Sequence, residues 1–321
     1  MDKLIEGKKI FDIEIKALQK TKDALDETFV EILDLIMACQ GKVIITGMGK
    51  PGHIAKKLTA TFASLGTPAF CLHPGEAMHG DLGMITKKDI VIAISYSGES
   101  DEIIKILSNI KLIGATLIAI TGNANSTLTK YADIVQVFPP FEEACHLGLA
   151  PTSSTTATLC YGDALAVVAS MVYGFKKEDF GKFHPAGALG KKLILKVDDL
   201  MVKDDDIPKV CSGTYLKDAI PVMTKKGLGF VSVVNKNHNL IGIVTDGDLR
   251  RLLEKHIDIY NVLIDDVMTK NPKSIKSDLL AIDALQYLKN NNISNLPVVD
   301  ENKNLCGTIT WKMIVKVGIV V

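Results

Sequence analysis

At 321 residues, 47% hydrophobic and 23% charged, the chain has an ordinary globular composition and the length for two or three domains. Lysine plus arginine equals aspartate plus glutamate at 37 each, which argues against a strongly basic nucleic-acid binder and against an acidic tail for a charged partner. The opening MDKLIEGKK lacks the apolar core of a signal peptide, the apolar stretch 164–175 is short and follows Asp163, and the six cysteines show no C-x-x-C spacing. The expectation is a cytoplasmic protein without membrane span, disulfide framework or zinc ribbon.

Residues 4–38 carry apolar positions at helical spacing (Ile10, Ile13, Ala17; Phe29, Ile32, Leu33, Ile36), which predicts two helices ending at Gly41. Short apolar runs then alternate with helical segments: 43–46 and 51–65, 69–72, 90–95 and 99–112, 116–121 and 126–131, 134–137 and 155–173. That alternation predicts an α/β domain with an open, doubly wound, five-stranded parallel sheet and helices on both faces, its ligand site at the carboxyl ends of the strands.

The second half contains a repeat at a spacing of about 65 to 67 residues. Val197-Asp-Asp-Leu-Met201 returns as Ile264-Asp-Asp-Val-Met268, and Gly242-Ile-Val-Thr-Asp-Gly-Asp248 is echoed by Gly307-Thr-Ile-Thr-Trp-Lys-Met313. Two copies of one small α+β unit are expected, either as a structural duplication or as a pair holding a ligand in its cleft.

Three strand-end loops carry the candidate chemistry. In TGMGKPGH, Gly47, Gly49 and Gly52 spell G-x-G-x-x-G, but the second strand runs into His73-Pro74 without the acid a dinucleotide site needs for ribose. A P-loop is excluded because Pro51 follows Lys50 where a hydroxyl should hold magnesium. A tight turn with backbone amides and the Lys50 ammonium remains, which suits a small anion. Ser95-Tyr-Ser97-Gly-Glu-Ser100 and Pro151-Thr152-Ser153-Ser154-Thr155-Thr156 each open a helix, where hydroxyls and free amides form a phosphate cradle or serve as ordinary caps. The pair His73 and His79 has no clear third metal ligand, and Trp311, the sole tryptophan, reads as packing.

The runs GMGKPGH, HPGEAMHGDLG, SYSGES, EEACHLGLAPTSSTTAT, GDALA and FHPAGALG together resemble the sugar isomerase (SIS) domain, in the branch of the D-arabinose 5-phosphate isomerases. The repeats resemble a tandem pair of cystathionine-β-synthase (CBS) domains. This resemblance implies an SIS domain of flavodoxin-like fold over 1–190 (N-terminal helices 1–40), a linker at 191–196, and CBS domains at 197–257 and 261–321. It implies reversible aldose–ketose isomerisation of ribulose 5-phosphate and arabinose 5-phosphate through an enediol, without a required metal or cofactor. Such an enzyme would supply Kdo for lipopolysaccharide or capsule.

The same resemblance assigns catalysis to Lys50, Glu102, Glu143 and His184. It assigns substrate contacts to Gly47, Gly49, His73, His79, Ser95, Ser97, Ser100, Thr152, Ser153, Ser154 and Thr155, with His73 as ligand of an inhibitory divalent ion such as zinc. It further implies a homo-oligomer, a tetramer with pockets built between subunits, and a regulatory nucleotide at Thr245 and Asp248, whose acid is replaced by Met313 in the second copy. Departures from the family wording are Pro51, Tyr96, Met78 and Ala186. A hexose phosphate isomerase or lyase of the same fold, and a non-catalytic sugar phosphate sensor, are the alternative functions; neutral charge and the short N-terminal helices speak against a nucleic-acid partner.

Overall fold

The computed structural model describes residues 1–184 and 188–320. The chain divides into two compact units, Met1–Asp179 and Phe180–Val321.

In the first unit, α1 (Lys3–Asp23) and α2 (Glu27–Ala38) each start on an aspartate, Asp2 and Asp26, whose carboxylate accepts first-turn amides. Five strands follow: β1 (Val43–Gly47), β2 (Ala69–Leu72), β3 (Ile90–Ile94), β4 (Thr116–Thr121) and β5 (Ile134–Val137). They are joined by α3 (Lys50–Ser64), α4 (Pro74–Ala77), α5 (Asp101–Ile113) and α6 (Thr127–Tyr131), and α7 (Ser153–Val172) follows β5. The sheet is parallel throughout, in the order β2-β1-β3-β4-β5. Its strands are apolar runs because both faces are covered. Val43, Ile45, Ile92, Ile118 and Ile120 pack with α2, α3 and α7 on one face. Ile44, Val91, Ala93, Leu117 and Ala119 pack with α5 on the other, as the twofold alternation of a strand requires. The doubly wound domain expected from the sequence is therefore present.

The structure departs from the sequence expectations in three places. No helix is expected over 73–89, yet α4 and a 3-10 turn at Asp81–Met84 form there, Pro74 sitting at the first helical position where its missing N–H costs nothing. A linker is expected at 191–196, whereas α9 (Ala188–Ile194) covers most of it, preceded by α8 (Lys177–Phe183); residues 185–187, including Ala186, lie outside the described residues. No apolar stretch of membrane-spanning length is expected, but α7 is long and apolar enough by length and composition. Ser153, Ser154, Ala157, Thr158, Tyr161, Leu165, Ala166 and Ala169 are buried in the domain, so one face of α7 packs into its core.

At the amino ends of β1 and β3, the buried Asp89 carboxylate accepts the backbone amides of Lys42 (2.8 Å) and Thr86 (2.7 Å), the Lys42 ammonium (3.0 Å) and the Thr86 hydroxyl (3.0 Å). Burial alone would raise its pKa; these four donors outweigh it and hold the carboxyl below its ordinary range.

The second unit contains two small sheets. The first, β6-β7-β8-β9, comprises β6 (Lys209–Cys211), β7 (Phe230–Val234), β8 (Leu240–Thr245) and β9 (Thr269–Lys270). The second, β10-β11-β12, comprises β10 (Ile275–Lys276), β11 (Asn295–Val299) and β12 (Leu305–Thr310). Helices α10 (Val197–Leu200), α11 (Leu216–Lys226), α12 (Asp246–Glu254), α13 (Ile264–Val267), α14 (Ala281–Asn290) and α15 (Trp311–Lys316) complete the repeats.

The copies exchange their leading segments. Val197 is buried in the core of the second repeat and Ile264 in that of the first, and β9 pairs with β8 of the first repeat. Each Gly of the repeated G-x-x-T turn is the seat of an exchanged methionine: a Cβ on Gly242 would stand 2.1 Å from Met268 Sδ, and one on Gly307 2.3 Å from Met201 Sδ.

Replacing Asp89 by Ala leaves two strand-end amides without their acceptor, and equilibrium unfolding should register a loss of about 3 kcal/mol at neutral pH. Because the folded-state pKa lies below the unfolded one, the Asp89 contribution is fully present above the unfolded pKa and fades as pH falls through the folded pKa. The wild type and D89A should thus converge in stability under acid. Gly242→Ala should cost about 1–3 kcal/mol by overpacking against Met268, read in the same unfolding assay.

Candidate functional site

In the order β2-β1-β3, the connections from β1 and β3 depart to opposite sides of the sheet, so a crevice opens at their carboxyl ends. The loops after β1 and β3 flank that crevice.

The first loop is a tight turn set by close backbone approach. A Cβ on Gly47 would lie 2.8 Å from the Pro51 carbonyl carbon and one on Gly52 2.6 Å from the Gly47 oxygen, while Gly49 has φ +63°. Gly49 therefore takes the N-cap position of α3 without a side chain, and Lys50 is the exposed first residue of that helix.

The second loop is internally bonded. The buried Ser95 hydroxyl lies 2.9 Å from that of Ser100 and accepts the Gly98 amide at 3.1 Å. Ser97 is exposed, its hydroxyl accepting the Glu99 amide at 3.2 Å, and Glu102 is half-buried in the first turn of α5. Tyr96 leans on Phe141 with ring centroids 5.4 Å apart. Burial and the Glu143 carboxylate push the Tyr96 phenol above its usual pKa, against a smaller opposite pull from the Phe141 backbone. Tyr96 thus links this loop to the segment that carries Glu143.

The third loop shows what the sequence did not. Glu143 Oε2 accepts the Thr152 amide at 2.6 Å, the Thr152 hydroxyl at 2.9 Å and the Ser154 amide at 3.3 Å. A carboxylate from outside the helix therefore occupies the amide-rich start of α7, where the helix dipole favours negative charge. Partial burial would raise the Glu143 pKa, but hydrogen bonds from the Ser154 hydroxyl, the Thr152 amide and hydroxyl and the Ser154 amide leave it below the ordinary range. Of the hydroxyls expected to hold substrate, Thr152 is engaged by Glu143 and Thr155 by the Thr152 carbonyl at 2.9 Å. Ser153 Oγ is buried without a partner.

His73 and His79 are both exposed. His73 Nδ1 accepts the Gly75 amide at 3.2 Å, which engages that nitrogen's lone pair. Among the described residues no three His, Cys, Asp or Glu side chains gather to hold an ion. The His73 metal site expected from the resemblance is therefore not supported by the donor set.

His184 belongs to the second unit. Its ring stacks on Phe180 at 3.9 Å, and Nδ1 lies 2.9 Å from the Phe180 carbonyl oxygen, which can only accept. That bond fixes the proton on Nδ1 and leaves Nε2 as the basic nitrogen of the neutral ring.

Within the repeats, a cavity of about 550 Å³ is lined by Thr245, Asp248, Arg251 and Lys273 with residues of β11 and its approach. Thr245 and Asp248 form a capping box, Asp248 Oδ2 accepting the Thr245 amide and hydroxyl at 2.8 and 2.7 Å, while Oδ1 pairs with Arg251 at 2.5 Å. A second cavity, of about 640 Å³, is lined by Asp246, Asn295, Thr310, Trp311 and Lys312. Trp311, read from sequence as packing, is 41% exposed there.

Crevice, loops and repeats together define a doubly wound α/β domain followed by a pair of small repeated α+β units. The SIS domain family model matches residues 36–168 and the CBS domain model residues 197–255 and 264–319. Arabinose 5-phosphate isomerase KdsD of Pseudomonas aeruginosa is 44% identical over 319 residues, covering 99% of this chain and 98% of that protein. KdsD of Francisella tularensis is 48% identical over 309 residues, covering 95% and 94%. An Escherichia coli CFT073 protein solved in complex with arabinose 5-phosphate is 44% identical, with a TM-score of 0.56, and covers 58% of this chain and 100% of that one. The chain belongs to the family of these arabinose 5-phosphate isomerases.

Proposed function

We propose that the protein interconverts D-ribulose 5-phosphate and D-arabinose 5-phosphate through an enediol without a catalytic metal, in the cytoplasm, as a step toward Kdo. The observation that carries the reading is the arabinose 5-phosphate complex of the Escherichia coli relative, all of which aligns with 58% of this chain at 44% identity.

Forming the aldose from the ketose moves one proton from C1 to C2 and one hydroxyl proton from O1 to O2. His184, with a basic Nε2, takes the carbon proton and returns it to the neighbouring carbon. Glu143, ionised at neutral pH, accepts the hydroxyl proton and passes it to the other oxygen. Lys50 supplies positive charge to the developing enediolate, and Glu102 positions the site. The turn at Gly47 and Gly49 and the hydroxyls of Ser95, Ser97, Ser100, Ser153, Ser154 and Thr155 surround the substrate, with His73 and His79 at its edge. The cavity at Thr245, Asp248 and Arg251 takes a regulatory nucleotide whose phosphate competes for Arg251.

Assembly into a tetramer accompanies this reading. Leu4, Ile5, Phe11 and Ile15 of α1 and Val167, Met171 and Val172 of α7 are exposed, a density of apolar side chains that a second copy would cover. Light scattering on the purified protein should give four times the chain mass, and Phe11→Glu should lower it.

The functional test is NMR of ribulose 5-phosphate with enzyme and EDTA in D2O. Arabinose 5-phosphate should form with deuterium at the exchanging carbon, and Lys50→Ala and His184→Ala should each lose about 100-fold or more in kcat. Binding of the pentose phosphate without turnover by the wild type would favour a sensor instead.

A further inference from the structure

Thr152 stands immediately before the first residue of α7, the position where a Ser or Thr hydroxyl ordinarily accepts an amide of the first turn. It makes no such bond. Its hydroxyl donates to Glu143 Oε2 at 2.9 Å and accepts the Ala144 amide at 2.8 Å. The capping of the Ser154 amide falls to Glu143 itself, at 3.3 Å. One hydroxyl thus grips both the carboxylate of Glu143 and the backbone of the residue after it, from across a loop that returns to the same helix.

This arrangement separates two roles. A residue that bound the substrate phosphate would keep its hydroxyl proton for the ligand, whereas the Thr152 proton is committed to an internal carboxylate. A residue that merely started the helix would bond the first-turn amides. We infer that Thr152 is a positioning residue for the isomerisation: it fixes Glu143 through Oε2, so that Oε1 is the oxygen that exchanges the substrate hydroxyl proton. The inference rests on the proposed role of Glu143.

The test compares Thr152→Val, which keeps the shape and removes the hydroxyl, with Thr152→Ser, which keeps the hydroxyl. For the wild type and both variants, kcat and KM for ribulose 5-phosphate are measured across pH, and the Glu143 carboxyl is titrated by carbon-13 NMR with Glu143→Gln for assignment. Loss of a donor to the ionised form raises the Glu143 pKa, so the acid limb of kcat/KM should move to higher pH in T152V, by about half a unit or more. Its kcat should fall about tenfold while KM stays within about twofold, and T152S should restore both. Thermal melting of each variant establishes that the fold is kept.

A rise in KM alone would make Thr152 a substrate ligand and overturn the inference. So would an unmoved Glu143 titration in folded T152V, or failure of T152S to rescue. If the wild type does not turn over the pentose phosphate, the functional reading fails by itself. The carboxyl titration then still decides whether the Thr152 hydroxyl holds the ionised form of Glu143: an unmoved titration overturns the grip as well.

Discussion

The site depends on one constraint of the parallel sheet, the divergence of the chain at the carboxyl ends of β1 and β3. With strand order β2-β1-β3-β4-β5, no other pair of neighbouring strands sends its connections apart. The Gly47–Lys50 turn and the Ser95–Ser100 loop are brought beside one crevice although some fifty residues separate them in sequence. Their backbone amides and helix starts supply positive potential there without a net basic charge on the chain.

The start of α7 adds the third wall, and its chemistry follows from unsatisfied amides. A helix whose first residues, Ser153 and Ser154, are buried must find acceptors for its leading N–H groups. Glu143 provides one for the amides of Thr152 and Ser154, which anchors the preceding segment, and the Tyr96–Phe141 contact joins that segment to the β3 loop. The same bonds that complete the helix start keep Glu143 ionised. Structural need and the proposed acid–base role fall on one carboxylate.

The sheet domain was legible in the sequence because its strands are short, continuous apolar runs buried on both faces, as in 90–94 and 116–121. The short helix α4 was not, because it contains Pro74 and Gly75 and owes its existence to tertiary position rather than propensity. The hydroxyls of Thr152–Thr155 were visible as a helix start. Their engagement by Glu143 was not, since the acceptor comes from outside the local window in which capping patterns are read. The exchange of Met201 and Met268 between repeats escaped for the same reason: Gly242 and Gly307 advertise a missing side chain, and the residue that fills the space is remote in sequence from Gly307 and downstream of Gly242. The pair Thr245 and Asp248 was singled out by the resemblance to CBS domains, and the structure adds that they cap α12 and line a cavity.

The central claim is that the strand-end loops of the first unit, and not the cavities of the repeats, hold the pentose phosphate. Hydrogen–deuterium exchange of the intact protein with and without arabinose 5-phosphate tests this most directly. The account predicts slowed exchange in 47–53, 95–103 and 143–156, with 209–320 unchanged. Protection confined to the repeats around Thr245 or Trp311, with those three segments unaltered, would contradict it.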